Sequence, residues 1–138
     1  RGARAHAELL GAGAASEPQE SALPWSADPT GRAFACAMRG ALADAGLEPD
    51  AVRAAVLAAG DAVSEAAERA ALEAVFGDRA ASLPVLTPKR AFGEALAASA
   101  GLGLLSALAL LEESSVAVVN AFEAGGATAS LLVRVLAR

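Results

Sequence analysis

The most distinctive hydrophobic pattern in this chain is an uncharged run between Glu94 and Glu112. Seventeen residues separate the two glutamates, and none of them is more polar than serine. The run predicts one long helix that is apolar on every side, and such a helix has to be covered on every side. We expect the rest of this chain to cover one side of the helix. The other side is then predicted to meet a further subunit or domain.

The remaining pattern alternates short apolar runs with segments of helical period. Amphipathic helices are predicted at Gly31–Ala45 and Val63–Phe76, and the Glu65–Arg69 spacing predicts an ion pair on the solvent face of the second. Strands are predicted at Ala3–Leu10, Ala54–Ala59, Leu83–Thr87, Ser115–Ala121 and Ala129–Leu136. The segment Ala14–Thr30 contains three prolines and is predicted to be a loop, pinned to the body by Trp25.

The order of these elements, β-α-β-α-β-α-β-β, predicts an α/β fold in a single domain that covers residues 1–138. We expect a mostly parallel five-stranded sheet, in which the last two strands form an antiparallel pair because their connecting turn is short. Asp28 and Thr30 are candidate N-caps of the first helix, and Gly46 is its expected end.

Composition narrows the possible partners. The chain is 55% hydrophobic but only 4% aromatic, and its mean hydropathy of +0.44 suggests apolar surface intended for another subunit. The net charge of −5 and the absence of any Lys/Arg run argue against nucleic acid and anionic membranes. The uncharged run is shorter than the ~20 residues of a membrane span. A single cysteine and no visible signal peptide predict a reducing, cytoplasmic location.

Several segments resemble the β-ketoacyl-acyl-carrier-protein (ACP) synthases, specifically the C-terminal half of their thiolase-like fold. Gly2 to Gly13 is like the opening strand of that half, and A-M-R-G-A-L-A-D-A-G-L-E-P at Ala37 to Pro49 is close to the family's A-M-x-x-A-L-x-D-A-G-L. N-A-F-E-A-G-G-A-T-A-S-L at Asn120 to Leu131 is like the family's N-S-F-G-F-G-G-T-N-A-S-L. The segments around Gly60 and Lys89 also match in order.

The chain departs from the family at both histidines that the resemblance assigns to catalysis. Ala59 stands where the family's N-A-H-G-T motif has its His, Asp61 stands in place of the Thr, and two residues are missing before Glu68. The side chain of Ala59 has no donor and cannot stabilise an oxyanion. Lys89 matches the lysine of the next motif, but Glu94 stands at its histidine. We expect Glu94 to pair with Lys89 or Arg90, or to cap the apolar helix.

The resemblance also implies a substrate-facing segment near the end of the chain. It comprises Phe122, Ala124, Gly125 and Gly126, where Ala124 replaces the family's gatekeeping Phe and Glu123 replaces a glycine. The two glycines predict a tight turn and could also serve an oxyanion hole. About thirty family residues, including a P-P-T-x-N loop, have no counterpart between the apolar helix and the penultimate strand, where Glu113 is followed directly by Ser114.

Two other reactive side chains are not assigned to chemistry. The family's nucleophilic cysteine lies in the N-terminal half, so Cys36 is expected to be a small buried hydrophobic residue. His6 is expected to be exposed or at a sheet edge, without a catalytic or metal-binding role. No metal and no cofactor are predicted.

These observations favour a domain that has lost its catalytic residues, similar to the chain-length-factor subunits that pair with a ketosynthase in polyketide synthesis. The expected partners are a ketosynthase or an N-terminal thiolase-like half, and an acyl carrier protein, in a homo- or heterodimer. One alternative is an active acyltransferase, a 3-oxoacyl-ACP synthase whose other catalytic residues lie in an N-terminal half. Another is a structural remnant without enzymatic partners.

Overall fold

We describe residue 2 and residues 4–16, 29–123 and 125–136 from a computed structural model of the chain. The strands are β1 (Ala7–Ser16), β2 (Val52–Val56), β3 (Val85–Leu86), β4 (Val116–Phe122) and β5 (Ala127–Val135). The helices are α1 (Arg32–Ala45), α2 (Ala62–Phe76), α3 (Pro88–Phe92) and α4 (Ser99–Leu110). Short 3₁₀ turns occupy Pro49–Ala51, Gly77–Ser82 and Leu96–Ala98.

The five strands form one sheet in the order β1-β5-β4-β2-β3. β2 pairs in parallel with β3 and with β4, whereas β5 pairs antiparallel with both β1 and β4. Four strands therefore run in the same direction, and β5 alone runs against them. This agrees with the predicted mostly parallel sheet and with the predicted antiparallel final pair.

The two faces of the sheet carry different helices. Because side chains alternate along a strand, Val116 and Val118 of β4 pack into the cluster that contains α1 and α2. Ala117 and Val119 point to the other face, where they pack with Ala107 of α4. The core is therefore divided into two layers by the sheet, and α4 lies on the face opposite α1 and α2.

The apolar helix begins later than predicted. Leu96 has a positive φ of 51°, which interrupts the run, and α4 starts only at Ser99. Gly103 and Ala107 are the residues of α4 buried against the sheet. On its outer side, Leu105 and Leu110 are 60% and 68% exposed. Within the described part of the chain the helix is thus buried on one side only, and its other side is open.

The first strand was predicted too early and too short, because its glycines resemble a strand end. β1 instead continues through Gly11 and Gly13, which pair with Leu132 and Ser130 of β5. A Cβ atom at Gly13 would lie 2.1 Å from the carbonyl oxygen of Ala37 in α1. These glycines therefore allow a helix backbone to lie directly on the strand.

Other local predictions have mixed outcomes. β2 begins two residues before the predicted strand and ends at Val56, and β3 is shorter than predicted. Helix α1 ends at Gly46 as predicted, with φ 62°, but its N-cap is Gly31 rather than Thr30. The Glu65–Arg69 pair is confirmed at 2.8 Å, but its predicted place on the solvent face is wrong for Glu65, which is buried. The candidate cap Asp28, the pinning residue Trp25 and most of the predicted loop lie outside the described residues.

The predicted burial of Cys36 is wrong. Its thiol is exposed, because Cys36 lies on the side of α1 opposite to the stripe formed by Phe34, Met38 and Ala41. His6 is exposed, as predicted.

Candidate functional site

A cavity of about 730 Å³ opens where β2 and β4 reach their carboxyl ends. Ala58, Ala59 and Gly60 follow β2 along one wall, and the start of α4 forms part of another. The carboxyl edge of parallel strands is where α/β sheets commonly bind ligands. The polar residues that line the cavity are Asp61, Ser64, Glu68, Lys89, Glu94, Ser99, Asn120, Glu123 and Thr128.

Lys89 and Glu94 form an ion pair at this cavity. Lys89 Nζ donates to Glu94 Oε2 at 2.6 Å, while Glu94 Oε1 accepts from the hydroxyl of Ser99 at 2.6 Å and from the amide of Leu96 at 2.7 Å. The hydrogen bond from Lys89, followed by that from Ser99, lowers the pKa of Glu94 to about 2. Of the predicted alternatives, pairing of Glu94 with Lys89 is confirmed, whereas Arg90 pairs with Glu65. Glu94 also stabilises the turn that leads into α4.

Asp61 begins α2 beside the same cavity. Its Oδ1 accepts from the amides of Val63 and Ser64, at 2.9 and 3.0 Å, and its Oδ2 accepts from the Ser64 hydroxyl at 2.8 Å. These hydrogen bonds, led by those from Ser64, lower the pKa of Asp61. Asp61 is thus an anionic helix cap, in the position where the family has a threonine.

Glu68 of α2 is a completely buried carboxyl group. Its Oε2 accepts from the amide of Ala58 at 3.1 Å and from Nδ2 of Asn120 at 2.9 Å. Its Oε1 has no hydrogen-bond partner among the described residues. Burial raises the pKa of Glu68 to about 7, although these hydrogen bonds and the charge of Lys89 oppose the shift.

Asn120 connects this carboxyl group to the sheet. Its Oδ1 accepts from the hydroxyl of Ser130 at 2.7 Å, and the two residues face each other across β4 and β5. Both side chains are buried. The chain Ser130–Asn120–Glu68 therefore fixes the Glu68 carboxyl group relative to the floor of the cavity.

The structure brings most of the residues predicted from the sequence to this one cavity. Ala59, Lys89, Glu94 and Phe122 all line it, and the ring of Phe122 lies 6.0 Å from that of Phe34. Gly125 and Gly126 lie in the β4–β5 turn with φ values of 107° and 90° and are not part of the described lining. Ala124 lies outside the described residues.

Glu68, Asn120 and Ser130 were not among the predicted site residues, although one signal for Glu68 was present. Glu68 is one helical turn before Leu72 and two before Phe76, on the apolar stripe of α2. A carboxylate on the buried stripe of a helix needs either a partner or a proton. Its partner Asn120 is 52 residues away in sequence, so the pairing itself had no local signal.

Comparison with known proteins identifies the family. Residues 6–123 match the model of the beta-ketoacyl synthase C-terminal domain, so the chain belongs to this family, as the motifs predicted. None of the curated protein sequences compared with the chain matches it.

Solved structures show the same thiolase-like fold. A type II polyketide synthase acyl-carrier protein in complex with its ketosynthase gives a TM-score of 0.79 at 20% identity, over 99% of this chain and 40% of that one. The ishigamide ketosynthase/chain length factor gives 0.69 at 26% identity, over 96% and 36%. A ketosynthase in complex with its chain length factor, from Xenorhabdus doucetiae, gives 0.65 at 22% identity, over 96% and 40%. The chain thus spans about two fifths of the length of these relatives.

Two other kinds of site are absent from the described residues. No helix there has the length and apolarity needed to cross a membrane. No cluster of three or more His, Cys, Asp or Glu side chains is arranged there to hold a metal ion.

Proposed function

We propose that this chain is a non-catalytic ketosynthase-like domain that acts as a partner subunit, like a chain length factor, in fatty-acid or polyketide biosynthesis. The observation that carries the proposal is the pair Ala59 and Glu94, which occupy both histidine positions of the family motifs and line one cavity. Neither residue supplies the imidazole on which decarboxylation of malonyl-ACP depends in the family.

The charges at the cavity support this proposal. An enolate that develops during decarboxylation needs hydrogen-bond donors or positive charge nearby. The pKa of Glu94 is about 2, so this side chain is an anion at neutral pH. The remaining cation, Lys89, is already committed to Glu94 at 2.6 Å. A negative charge formed next to this pair would be repelled by Glu94 and only partly balanced by Lys89.

The proposed partner is a ketosynthase or an N-terminal thiolase-like half, and it is expected to lie against the open side of α4. Leu105 and Leu110 are exposed there, with Leu96 and Phe92 nearby in the chain at 67% and 64% exposure. The similar solved proteins contain further chain beyond the part that this one matches, and they include a ketosynthase with its acyl-carrier protein and ketosynthases with a chain length factor. A dimeric assembly in the cytoplasm stays a prediction.

The test is an assay of malonyl-ACP decarboxylation by the native assembly, purified through a tag on this chain. We expect the assembly to contain a ketosynthase, and we expect Lys89→Ala in this chain to leave the rate within about twofold, because the residue makes no transition-state interaction. In contrast, substitution of the nucleophilic cysteine of the associated ketosynthase should abolish turnover.

A rate that falls by about a hundredfold or more in the Lys89→Ala variant would overturn the proposal, since that is the size of effect of a lost catalytic group. It would favour the alternative of an active 3-oxoacyl-ACP synthase. The alternative has one observation in its favour, which is that Lys89 and the buried acid Glu68 still line the cavity. Purification without a ketosynthase or an acyl carrier protein would instead favour a structural remnant.

A further inference from the structure

The segment between α3 and α4, residues 93–98, is held beside the cavity mainly by polar contacts. Glu94, Leu96 and Ala97 of this segment line the cavity. Neither apolar cluster of the described chain includes a residue of the segment, and the side chain of Leu96 is 67% exposed. A segment with so few buried apolar contacts has low local stability and can change conformation without disturbing the core.

The sequence of this segment favours a helix, yet its backbone does not continue α4. Residues 95–98 are three alanines and a leucine, which are among the strongest helix formers. Leu96 nevertheless has a φ of 51°, a left-handed conformation that is unfavourable for leucine. Only a 3₁₀ turn covers Leu96–Ala98. Contacts outside the backbone therefore prevent α4 from beginning earlier.

Glu94 makes those contacts. Its Oε1 accepts from the Ser99 hydroxyl at 2.6 Å and from the Leu96 amide at 2.7 Å, and its Oε2 accepts from Lys89 Nζ at 2.6 Å. Residues five apart in an α-helix lie about 140° apart around the axis and about 7.5 Å apart along it. A continuous helix through residues 94–99 is therefore incompatible with the hydrogen bond between Glu94 and Ser99.

A continuous helix would also bring Leu96 to the cavity. Leu96 precedes Gly103 by seven residues and Ala107 by eleven, about two and three helical turns, so the three would share one side of the helix. Gly103 and Ala107 are buried against the sheet. Ala100, one turn after Leu96 on the same side, lines the cavity. The next position on this stripe is Leu96, whose side chain would leave water by entering the cavity.

We propose that residues 93–98 are a lid of the cavity and that Glu94 is the latch that holds this lid open. In the closed state, α4 begins at about residue 95 and Leu96 occupies the cavity. Loss of the latch favours closing, because the left-handed conformation of Leu96 is then relieved. A molecule in the cavity favours the open state, because it takes the space that Leu96 would fill.

The lid is not a pH switch in the neutral range. The hydrogen bond from Lys89, followed by that from Ser99, lowers the pKa of Glu94 to about 2, so the latch stays ionised at neutral pH. The inference goes beyond the partner role proposed above, because it concerns access to the cavity and requires neither a ketosynthase nor turnover.

The test compares the full native chain with Glu94→Ala by NMR. The one-bond ¹³Cα–¹Hα coupling of Leu96 distinguishes positive from negative φ, and NOEs from its methyl groups to Phe34 or Leu57, which line the cavity, report its entry. We expect a positive φ and no such NOEs in the native chain. In Glu94→Ala the ratio of closed to open molecules should rise by about a hundredfold, because charge-assisted hydrogen bonds are lost.

Glu112→Ala is the matched control, because Glu112 is exposed at the other end of the same uncharged run and its loss changes the net charge equally. This control should keep Leu96 left-handed and outside the cavity. Ser99→Ala is a milder change that removes one hydrogen bond of the latch and leaves both charges. It should move the same ratio in the same direction by about tenfold.

Three results would overturn the inference. One is a positive φ of Leu96 that persists in Glu94→Ala, since the break in the helix would then not depend on Glu94. Another is a negative φ without methyl NOEs to the cavity, because the helix would then extend without closing it. The third is the same change in Glu112→Ala.

If Glu94→Ala does not fold, Ser99→Ala decides, and a Leu96 coupling identical to that of the native chain would overturn the inference. All these signals are measured on this chain alone. Their failure would therefore leave the proposal that rests on the two replaced histidines unaffected.

Discussion

At the scale of single residues, the charge state of the cavity depends on how strongly Lys89 interacts with each of two acids, Glu94 and Glu68. Lys89 pairs directly with Glu94, which is half exposed and whose pKa is lowered to about 2. Glu68 receives only a weak effect from the same charge, and burial raises its pKa to about 7. One acid therefore stays ionised and the other takes up a proton near neutral pH, although both line one cavity.

This difference predicts a pH dependence of stability that can be assigned to Glu68. Since its folded pKa is above the ordinary value of 4.5, the folded state keeps a proton that the unfolded state releases. Its contribution is fully present below about pH 4.5 and is lost as the pH rises towards about 7. The free energy of unfolding should fall by up to about 3 kcal/mol across this range through Glu68 alone.

Urea unfolding of the native chain and of Glu68→Gln at several pH values measures this contribution. The difference in unfolding free energy between the two should change across the range and become constant above about pH 7. Glu73→Gln, on the exposed side of the same helix, should run parallel to the native chain. Parallel curves for the native chain and Glu68→Gln would contradict the prediction, because they would show that the Glu68 carboxyl group titrates in the folded state as it does in the unfolded chain.

The sequence was informative about some of these residues for a physical reason. Lys89 and Glu94 are five positions apart beside a helix start, so local spacing was enough to predict that Glu94 pairs with Lys89 or its neighbour Arg90. The environment of Glu68 depends instead on Asn120 and Ser130, which reach it only after β4 and β5 have joined the sheet. The sequence pattern predicts that Glu68 lies on a buried stripe of α2. It does not identify Asn120, the hydrogen-bond partner that offsets part of the cost of burying the carboxyl group.

At the scale of elements, the least predictable feature was the contact between β1 and α1. Ala and Gly in β1 carry almost no alternating pattern, and two glycines usually indicate a strand end. Here the glycines are required by the helix, because a Cβ at Gly11 would lie 2.5 Å from the carbonyl oxygen of Ala41. The order of the strands and of the three longer helices was still predicted correctly, since it depends on the more strongly patterned segments such as β4 and α2, but the short helix α3 between β3 and α4 was not predicted.

The β1–α1 contact predicts opposite effects for the same substitution on its two sides. Gly13→Ala places a Cβ 2.1 Å from the Ala37 carbonyl oxygen, so strand and helix have to separate. We expect a loss of about 1–3 kcal/mol or more in unfolding free energy. At Gly40, on the helix side, a Cβ would lie 3.4 Å from Gly13 Cα, which is ordinary contact.

Gly40→Ala should therefore be neutral or stabilising by less than about 1 kcal/mol, because alanine favours the helix. Thermal unfolding followed by circular dichroism distinguishes the two variants. Equal effects of the two substitutions would mean that β1 and α1 are further apart than the distances above require.

At the scale of the whole molecule, the described helices cover one face of the sheet fully and the other face only in part. α1 and α2 cover one face, and α4 lies on the opposite face without any described element outside it. The uncharged run predicted this arrangement, because no polar stripe was available to face water. What the run did not show is its break at Leu96, where Glu94 accepts hydrogen bonds from Lys89, Ser99 and the backbone.

The open side of α4 predicts self-association of the chain when it is produced alone. Exposed apolar surface of this kind, unlike scattered single residues, drives association in water. Leu105→Glu places a charge in the middle of this surface, and we expect it to shift the chain towards monomer in sedimentation velocity by about tenfold or more in association constant. The fold should be retained, since Leu105 is 60% exposed and contributes little to the core.

Val63→Glu is the matched control, because Val63 is also 60% exposed but lies on α2, at the other face of the sheet. It adds the same charge and should leave self-association unchanged, which excludes a general effect of net charge. The same pair of variants tests the proposed partner: Leu105→Glu should prevent a ketosynthase from co-purifying with the chain, and Val63→Glu should not. If the native chain alone is instead a monomer that unfolds cooperatively, the open side of α4 is stable in water, and the inferred partner surface is wrong.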